Sequence, residues 1–428
     1  MAADNPYALG GLIGGIFFAA YMLAQFPGGY AGDRHGHRSV IVISLFWAAL
    51  ATLISGLCGA LATFIAARIF TGLGEGIYYA NDRSVIAATT PAEKRSFAMG
   101  VVITGLSVGI TLATVGAPAL IDIGRDLLGQ DNAWRMPFFI LAAVTALASL
   151  WIARQLWRTR EPSDRPVPAL GLVGKYAGLF FVLLFGLYLA SRQGAFPPWM
   201  LTMLELALAL AVIIFIFSVK SREMKGALND SNLVLLYLSN IAVLWNLWFF
   251  GFWAVSIVSG NGANSFKAAA LTAMFTGLAG LVGFPIGGWL ADWTFRAGHG
   301  RKRLQLLLTA VQCALILALA VYIQEGGTSP LVMAALLFFA GLFFSALQPV
   351  SHALVADIAE PRYRGSAFGL YNLIGEIGAV LSPVLAGTLR DHYGGWAPAV
   401  FLDGAMVALS FVFLLFLRER IGAADQSL

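Results

Sequence analysis

Apolar stretches of about 20 residues, parted by short polar breaks, run through almost the whole chain. A helix rising about 1.5 Å per residue crosses the hydrocarbon layer in that length. An open strand would leave its edge groups unpaired in lipid, so each stretch reads as a helix. The pattern predicts about 13 spans, near residues 8–29, 39–60, 62–88, 97–120, 136–157, 172–190, 199–219, 232–258, 268–290, 304–324, 331–357, 366–389 and 397–417. The expected fold class is all-α, a polytopic membrane protein.

Composition agrees, since 59% hydrophobic and 11% charged residues over 428 positions do not describe a soluble core. Charge then orients the bundle. Under this helix list most of the 27 Lys and Arg reach one face, among them Arg34, Arg38, Lys94, Arg95, Arg158, Arg165, Lys175, Arg301 and Arg364. Arg125, Arg135, Arg192, Lys267 and Arg390 fall on the other. The richer side is cytoplasmic by the positive-inside rule. A multi-pass protein of the cell membrane, in contact with membrane lipid, is expected. The net charge of +5 reflects that topology and makes no case for nucleic acid. The opening residues carry Asp4 and no Lys or Arg, so the first helix is expected to act as an anchor with no signal peptide before it. Cys58 and Cys313 both fall inside predicted spans, where packing is the default role.

The chain also repeats itself. The tract Gly28-Gly29-Tyr30-Ala31-Gly32-Asp33-Arg34-His35-Gly36-His37-Arg38 is expected to form a tight polar turn between two spans. A related tract returns as Gly287-Gly288-Trp289-Leu290-Ala291-Asp292. Likewise Arg95, Ala98 and Gly100 match Arg364, Ala367 and Gly369 after polar loops. Two related bundles are expected, residues 1–165 and 227–428, separated by an extra helical hairpin at 166–226. Such halves would rock about a central cavity and expose a midplane site to each side in turn.

Gly29, Asp33, Arg34, Gly36 and Arg38 resemble the signature loop between the second and third helices of the major facilitator superfamily. Arg68, Gly72, Gly74 and Gly76 resemble its fourth-helix motif, and the likeness extends over nearly the whole chain. The run Gly72-Leu73-Gly74-Glu75-Gly76-Ile77-Tyr78-Tyr79, with the tract from Asp357 to Gly369, is similar to the anion:cation symporter branch. That resemblance implies two pseudo-symmetric bundles and proton- or sodium-linked uptake of organic anions. Members place two helices before the signature loop and this chain shows one, so the first helix of the pattern is expected to be missing here.

Ionisable groups inside spans mark the expected chemistry, because charge in lipid is costly and faces a cavity or a partner. Arg68, Glu75 and Asp82 recur every seven residues, which places them on one face of a helix about 10 Å apart. Arg68 is a candidate to bind a substrate carboxylate and Glu75 to pass a proton; a structural ion network is the alternative. Asp82 and Arg83, near the cytoplasmic end, fit a gate salt bridge. The signature residues Gly29, Asp33, Arg34, Gly36 and Arg38, with Asp292 and Arg364, complete the gating set.

In the second half, Glu376 is the deepest acid of its helix and the second candidate for proton coupling, with Asn372 one turn before it. Gln348 and His352 lie one turn apart on the preceding helix, and His352 titrates near neutral pH when unperturbed. Tyr78, Asn246, Gln348, His352 and Asn372 join Arg68 as candidate substrate contacts. For Glu376 a hydrogen-bonded helix contact beside Gly375 and Gly378 is the competing role, and for His352 packing with a single partner.

Clustered His and Cys at metal-ligand spacing and a nucleotide loop are not found, and the loops are too short to house paired catalytic carboxylates in a soluble domain, so neither an enzyme nor a cofactor is expected. A secondary transporter, a proton symporter of a small organic anion, fits best. A drug exporter or neutral sugar carrier of the same fold is the alternative, and a transporter-like membrane sensor is the rival from another class.

Overall fold

The computed structural model describes residues 6–159, 161–194, 198–220, 224, 228–261 and 266–419. Among them every regular element is helical. The helices are α1 (Pro6–His35), α2 (His37–Leu57), α3 (Leu61–Gly76), α4 (Tyr79–Thr89), α5 (Arg95–Leu128), α6 (Met136–Arg158), α7 (Pro166–Gln193) and α8 (Pro198–Phe215). After the hairpin come α9 (Ser231–Gly260), α10 (Phe266–Arg296), α11 (Lys302–Gln324), α12 (Pro330–Ile358), α13 (Arg364–Tyr393) and α14 (Ala397–Phe416).

Nine helical segments among the described residues are long and apolar enough to cross a membrane. The other predicted spans, at α1, α3 with α4, α8 and α10, are helical as well. Large apolar side chains such as Leu112, Leu147, Trp151 and Leu331 stay exposed, which suits a surface that meets lipid instead of water. The chain is an integral membrane protein. Proline inside α1, α10, α12 and α13 is tolerated in this setting because neighbouring helices re-satisfy the freed backbone groups.

Two helix boundaries differ from the sequence expectation. The tract from Gly28 to His35 is not a polar turn but the last two turns of α1, and the turn contracts to Gly36 at φ 87°. Arg34 and His35 fall in the last helical turn, where positive charge complements the helix dipole. Gly36 suits the turn because its φ is costly for other residues, and an added Cβ would also collide with Asp164. The second tract behaves the same way, since Gly287 to Asp292 lie inside α10.

The third predicted span is broken. Its helix stops at Gly76 and restarts at Tyr79, so Arg68 and Glu75 lie on α3 whereas Asp82 and Arg83 lie on α4. The N–H groups of Ile77 and Tyr78 both turn back to the Glu75 carbonyl, tightening the last turn. Three glycines within five residues lower the helix propensity there, and Gly72 and Gly76 press against the backbone of α1 at Phe17 and Tyr21.

The chain forms two compact units. Unit 1 comprises Met1–Val85, Leu112–Leu228 and Arg362–Leu373; unit 2 comprises Ile86–Thr111, Asn229–Pro361 and Ile374–Leu428. Within unit 1, α3 and α7 pack on α1, and α6 packs on α2. Both hairpin helices, α7 and α8, belong to this unit and touch α1; their connecting residues 195–197 lie outside the described residues. Within unit 2, α12 packs on α10, and α14 on α9 and α11, around an apolar core that includes Trp245, Phe249, Ile316, Leu337 and Trp396.

Candidate functional site

The polar chemistry of unit 1 begins at Asp33. Its carboxylate accepts the backbone N–H of Gly365 at 2.8 Å and of Ser366 at 2.7 Å, and the Ser366 hydroxyl donates to it at 2.6 Å. Asp33 therefore caps the first turn of α13, where unsatisfied N–H groups and the positive end of the helix dipole favour an anion. Gly29 makes the approach possible, since an added Cβ would collide with the Gly365 carbonyl oxygen. Gly369, one turn further along α13, lies against Gln25 and Phe26 of α1 in the same way.

A partly buried chain extends from this cap. His37 Nε2 lies 3.5 Å from Asp33, and His37 Nδ1 meets Asn81 Oδ1 at 2.8 Å. The Asn81 amide donates to the carbonyls of Ile77 and Gly28 at 2.7 and 3.0 Å, tying α4 to α1. Neither His37 nor Asn81 was among the expected site residues. The histidine sits inside the signature tract, but only the fold reveals Asn81 as its partner.

The remaining signature residues lie around this chain. Arg38 pairs with Glu161 at 2.5 Å and lies 3.7 Å from Asp164. The Arg38 hydrogen bond holds the exposed Glu161 carboxyl below the usual carboxylate range. Arg34 is exposed, with its guanidinium 5.0 Å from the centre of the Tyr30 ring. Arg364 opens α13 beside the capped amides.

Unit 2 repeats the cap with other residues. Asp292 on α10 accepts the N–H of Ser96 at 3.0 Å and of Phe97 at 2.8 Å, at the start of α5. Gly288 lies against the Ser96 carbonyl, and Gly100 against that of Phe284. Arg301 is fully buried here. It pairs with Asp292 at 3.1 Å and Asp357 at 2.5 Å, and donates to the Ser96 hydroxyl at 2.8 Å. Arg95 pairs with the second oxygen of Asp357. Sequence reasoning placed Arg301 among loop charges that set topology; its partner Asp292 is 9 residues away, but Ser96 and Asp357 are visible only in the fold.

Of the residues expected at the membrane interior, Arg68, Glu75, Tyr78 and Asn372 fall in unit 1, whereas Asn246, Gln348, His352 and Glu376 fall in unit 2. Arg68 is half-buried with its guanidinium 4.4 Å from the centre of the Phe17 ring, a favourable cation–π distance. Glu75, two turns along, is near enough for the two charges to interact, although neither forms a direct ion pair among the described residues. Tyr78 is half-buried at the helix break. Asp82 is buried and bonds to the adjacent Arg83 at 2.6 Å, and Arg83 lies 4.2 Å from the Tyr79 ring centre.

In unit 2, His352, Glu376 and Asn246 are buried, and Gln348 is half-buried. The Asn246 amide is used on both sides, donating to Asp403 at 2.7 Å and accepting from Gln312 at 3.1 Å. Asp403, an acid of α14 with no exposed surface, was not anticipated. Among the described residues, no cluster of three or more His, Cys, Asp and Glu is placed to hold a metal.

Residues 3–297 and 236–427 each match the Major Facilitator Superfamily, and the chain belongs to that superfamily of transporters. It is similar to the D-galactonate transporter of Escherichia coli O6:H1, with 26% identity covering 96% of this chain and 88% of that one. It is also similar to a probable sulfoacetate transporter of Cupriavidus necator, with 24% identity covering 96% and 85%. Among solved structures, the Escherichia coli fucose:proton symporter shares the fold at a TM-score of 0.66, with 17% identity covering 97% of this chain and 92% of that one.

Proposed function

We propose that the protein is a secondary active transporter that carries a small organic anion across the cell membrane by alternating access, in symport with protons. The observation that carries this reading is the Arg68 and Glu75 pair, a cation and an acid on one face of α3, two turns apart and with no direct ion pair among the described residues. Intramembrane charge of this kind persists where a cavity or substrate pathway rewards it. Arg68 attracts the substrate carboxylate, with Tyr78, Asn372, Gln348 and His352 as further candidate contacts. Glu75 and Glu376 take up and release the proton.

The capped helix starts form the gate of this mechanism. Asp33 and Asp292 hold the cytoplasmic ends of α13 and α5 in one conformation, and their release opens that side. Gly29 and Gly36 permit the close packing, while Arg34, Arg38, Asp82, Arg83 and Arg364 supply the surrounding charge. The named activities of the galactonate and sulfoacetate relatives support an anionic substrate, and the fold of the fucose:proton symporter is compatible with proton coupling.

Uptake into proteoliposomes tests the reading. With an acid exterior, labelled galactonate should accumulate and the gain should collapse when the gradient is dissipated. Accumulation of a neutral sugar instead would favour the sugar carrier, and binding without flux would favour the sensor.

A further inference from the structure

Asp403 is the one ionisable residue of α14 and has no exposed surface. The Asn246 amide donates to its Oδ2 at 2.7 Å, while the buried Oδ1 has neither a hydrogen-bond partner nor an ion pair among the described residues. α14 packs on α9 and α11. Of the ionisable groups on those two helices, Cys313 lies beside Asp403, its thiol donating to the Gly404 carbonyl at 3.5 Å. Lys302, Arg303 and Tyr322 stand at the ends of α11, and Tyr237 lies more than two turns before Asn246 on α9. A bare carboxylate so placed is costly in an apolar span, whereas a carboxyl that holds a proton carries no charge.

A buried polar file links this acid to the cytoplasmic side. Gln305, Thr309 and Gln312 share one face of α11, and all three are buried. Gln312 donates to the Asn246 side-chain oxygen at 3.1 Å, the Thr309 hydroxyl to the Gln305 carbonyl at 2.8 Å, and the Gln305 amide to the Ser351 hydroxyl at 2.7 Å. One turn earlier comes Arg301, held with Asp292 and Asp357, and its carbonyl accepts the Gln305 N–H at 3.0 Å. From Arg301 to Gln312 the file covers about 16 Å, at about 1.5 Å per residue. Gln305 Oε1 is a second buried acceptor with no partner among the described residues. Orphan oxygens of this kind mark positions that a water molecule satisfies.

We propose that Asp403 is a proton-binding site of unit 2 that exchanges with the cytoplasmic side along this file. The proton adds to a lone pair of Oδ1, forming an O–H bond, and on release it passes to water and leaves the pair on the oxygen. Asn246 fixes Oδ2 as the carbonyl oxygen, because the NH₂ group that faces it only donates. The site is additional to Glu75 and Glu376, the acids assigned to symport, and its existence does not depend on that reading.

Infrared spectroscopy of the full chain in liposomes, on transfer from water to heavy water, tests the site without substrate or flux. The native chain should show a carboxylic-acid C=O band that moves down on deuteration and moves again when its aspartates are isotope-labelled, and D403N should lack this band. Asn keeps the acceptor for Asn246 and cannot take up the proton. Asn246→Val removes the hydrogen bond to Oδ2 and should shift the band to higher frequency, which identifies it even where D403N does not fold. Gln305→Leu interrupts the file near its cytoplasmic end and should slow deuteration severalfold. No aspartic-acid band in the labelled native chain, a band that persists in D403N or stays in place in Asn246→Val, or equal deuteration rates in Gln305→Leu would overturn the proposal. Galactonate entry without protons, in a chain whose band behaves as expected, would overturn the symport reading and leave the site standing.

Discussion

Asp33 and Asp292 hold equivalent positions in the internal repeat, atom for atom. Asp33 accepts the N–H groups of Gly365 and Ser366, and Asp292 accepts those of Ser96 and Phe97, the matching pair once Arg364 is aligned with Arg95. The match continues backward along each helix. Four residues before each acid a glycine, Gly29 or Gly288, lies against the capped helix start. Eight residues before, the carbonyl of Gln25 or Phe284 meets the glycine of the partner helix, Gly369 or Gly100. One geometric solution is thus used twice, each time within its own unit.

Removing the charge of either cap should slow turnover without changing substrate choice. Asn still accepts a backbone hydrogen bond, so Asp33→Asn loses mainly the charge–dipole part, about 0.3–1 kcal/mol. Asp33→Ala loses the cap as well, about 1–2 kcal/mol, which corresponds to about 5–30-fold in the gate equilibrium. Initial uptake rates for two competing anions check this; equal rates in native and Ala variants would deny Asp33 a gating role.

Steric wedging of the same contact should open the cytoplasmic side. In a background lacking Cys58 and Cys313, a cysteine placed at buried Ala367 reports access from that face. Gly29→Val should speed its alkylation by an impermeant maleimide in inside-out vesicles, because the added side chain collides with Gly365. Unaltered alkylation would mean that the helices do not separate there in transport.

Arg301 should matter for stability more than its loop position suggests. It is fully buried between two carboxylates, and removing one partner of such a network costs about 3–5 kcal/mol. Arg301→Ala should lower the melting temperature of the detergent-solubilised protein by many degrees. Arg301→Lys should recover only part of it, since an ammonium does not reproduce the planar fork. A full rescue by Lys would show that charge alone is what the site requires.

Glu161 provides a contrasting case. Its carboxyl is held below the usual range by Arg38, so its contribution is present at neutral pH and is lost only as pH falls through the lowered value. The group is exposed and its ion pair is therefore weak. Glu161→Gln should leave the pH profile of transport between pH 5 and 8 unaltered, as about half a unit of difference or less in profile position would confirm. A larger displacement would bring Glu161 into the coupling machinery.

Much of the architecture was legible because lipid simplifies the code. Apolar length and charge asymmetry are enough to place helices, and the repeated Asp33 and Asp292 tracts signalled duplication. What stayed hidden were partners distant in the chain. Nothing near Asp33 announces that its ligands are amides more than 330 residues away, because backbone N–H groups carry no sequence signature. The same holds for Asn81 beneath His37, and for Asp403 behind Asn246, where a polar residue readable as a substrate contact is engaged inside its own bundle. The break at Ile77 and Tyr78 was hidden for another reason: glycines lower helix propensity without specifying where a helix ends.

The central claim is that an organic anion and a proton cross together, and internal pH reports that directly. Proteoliposomes with no imposed gradient and a trapped pH dye should acidify inside when galactonate is added, while Glu75→Gln vesicles and protein-free liposomes should not. Entry of labelled galactonate through the native protein with no change of internal pH would contradict the account.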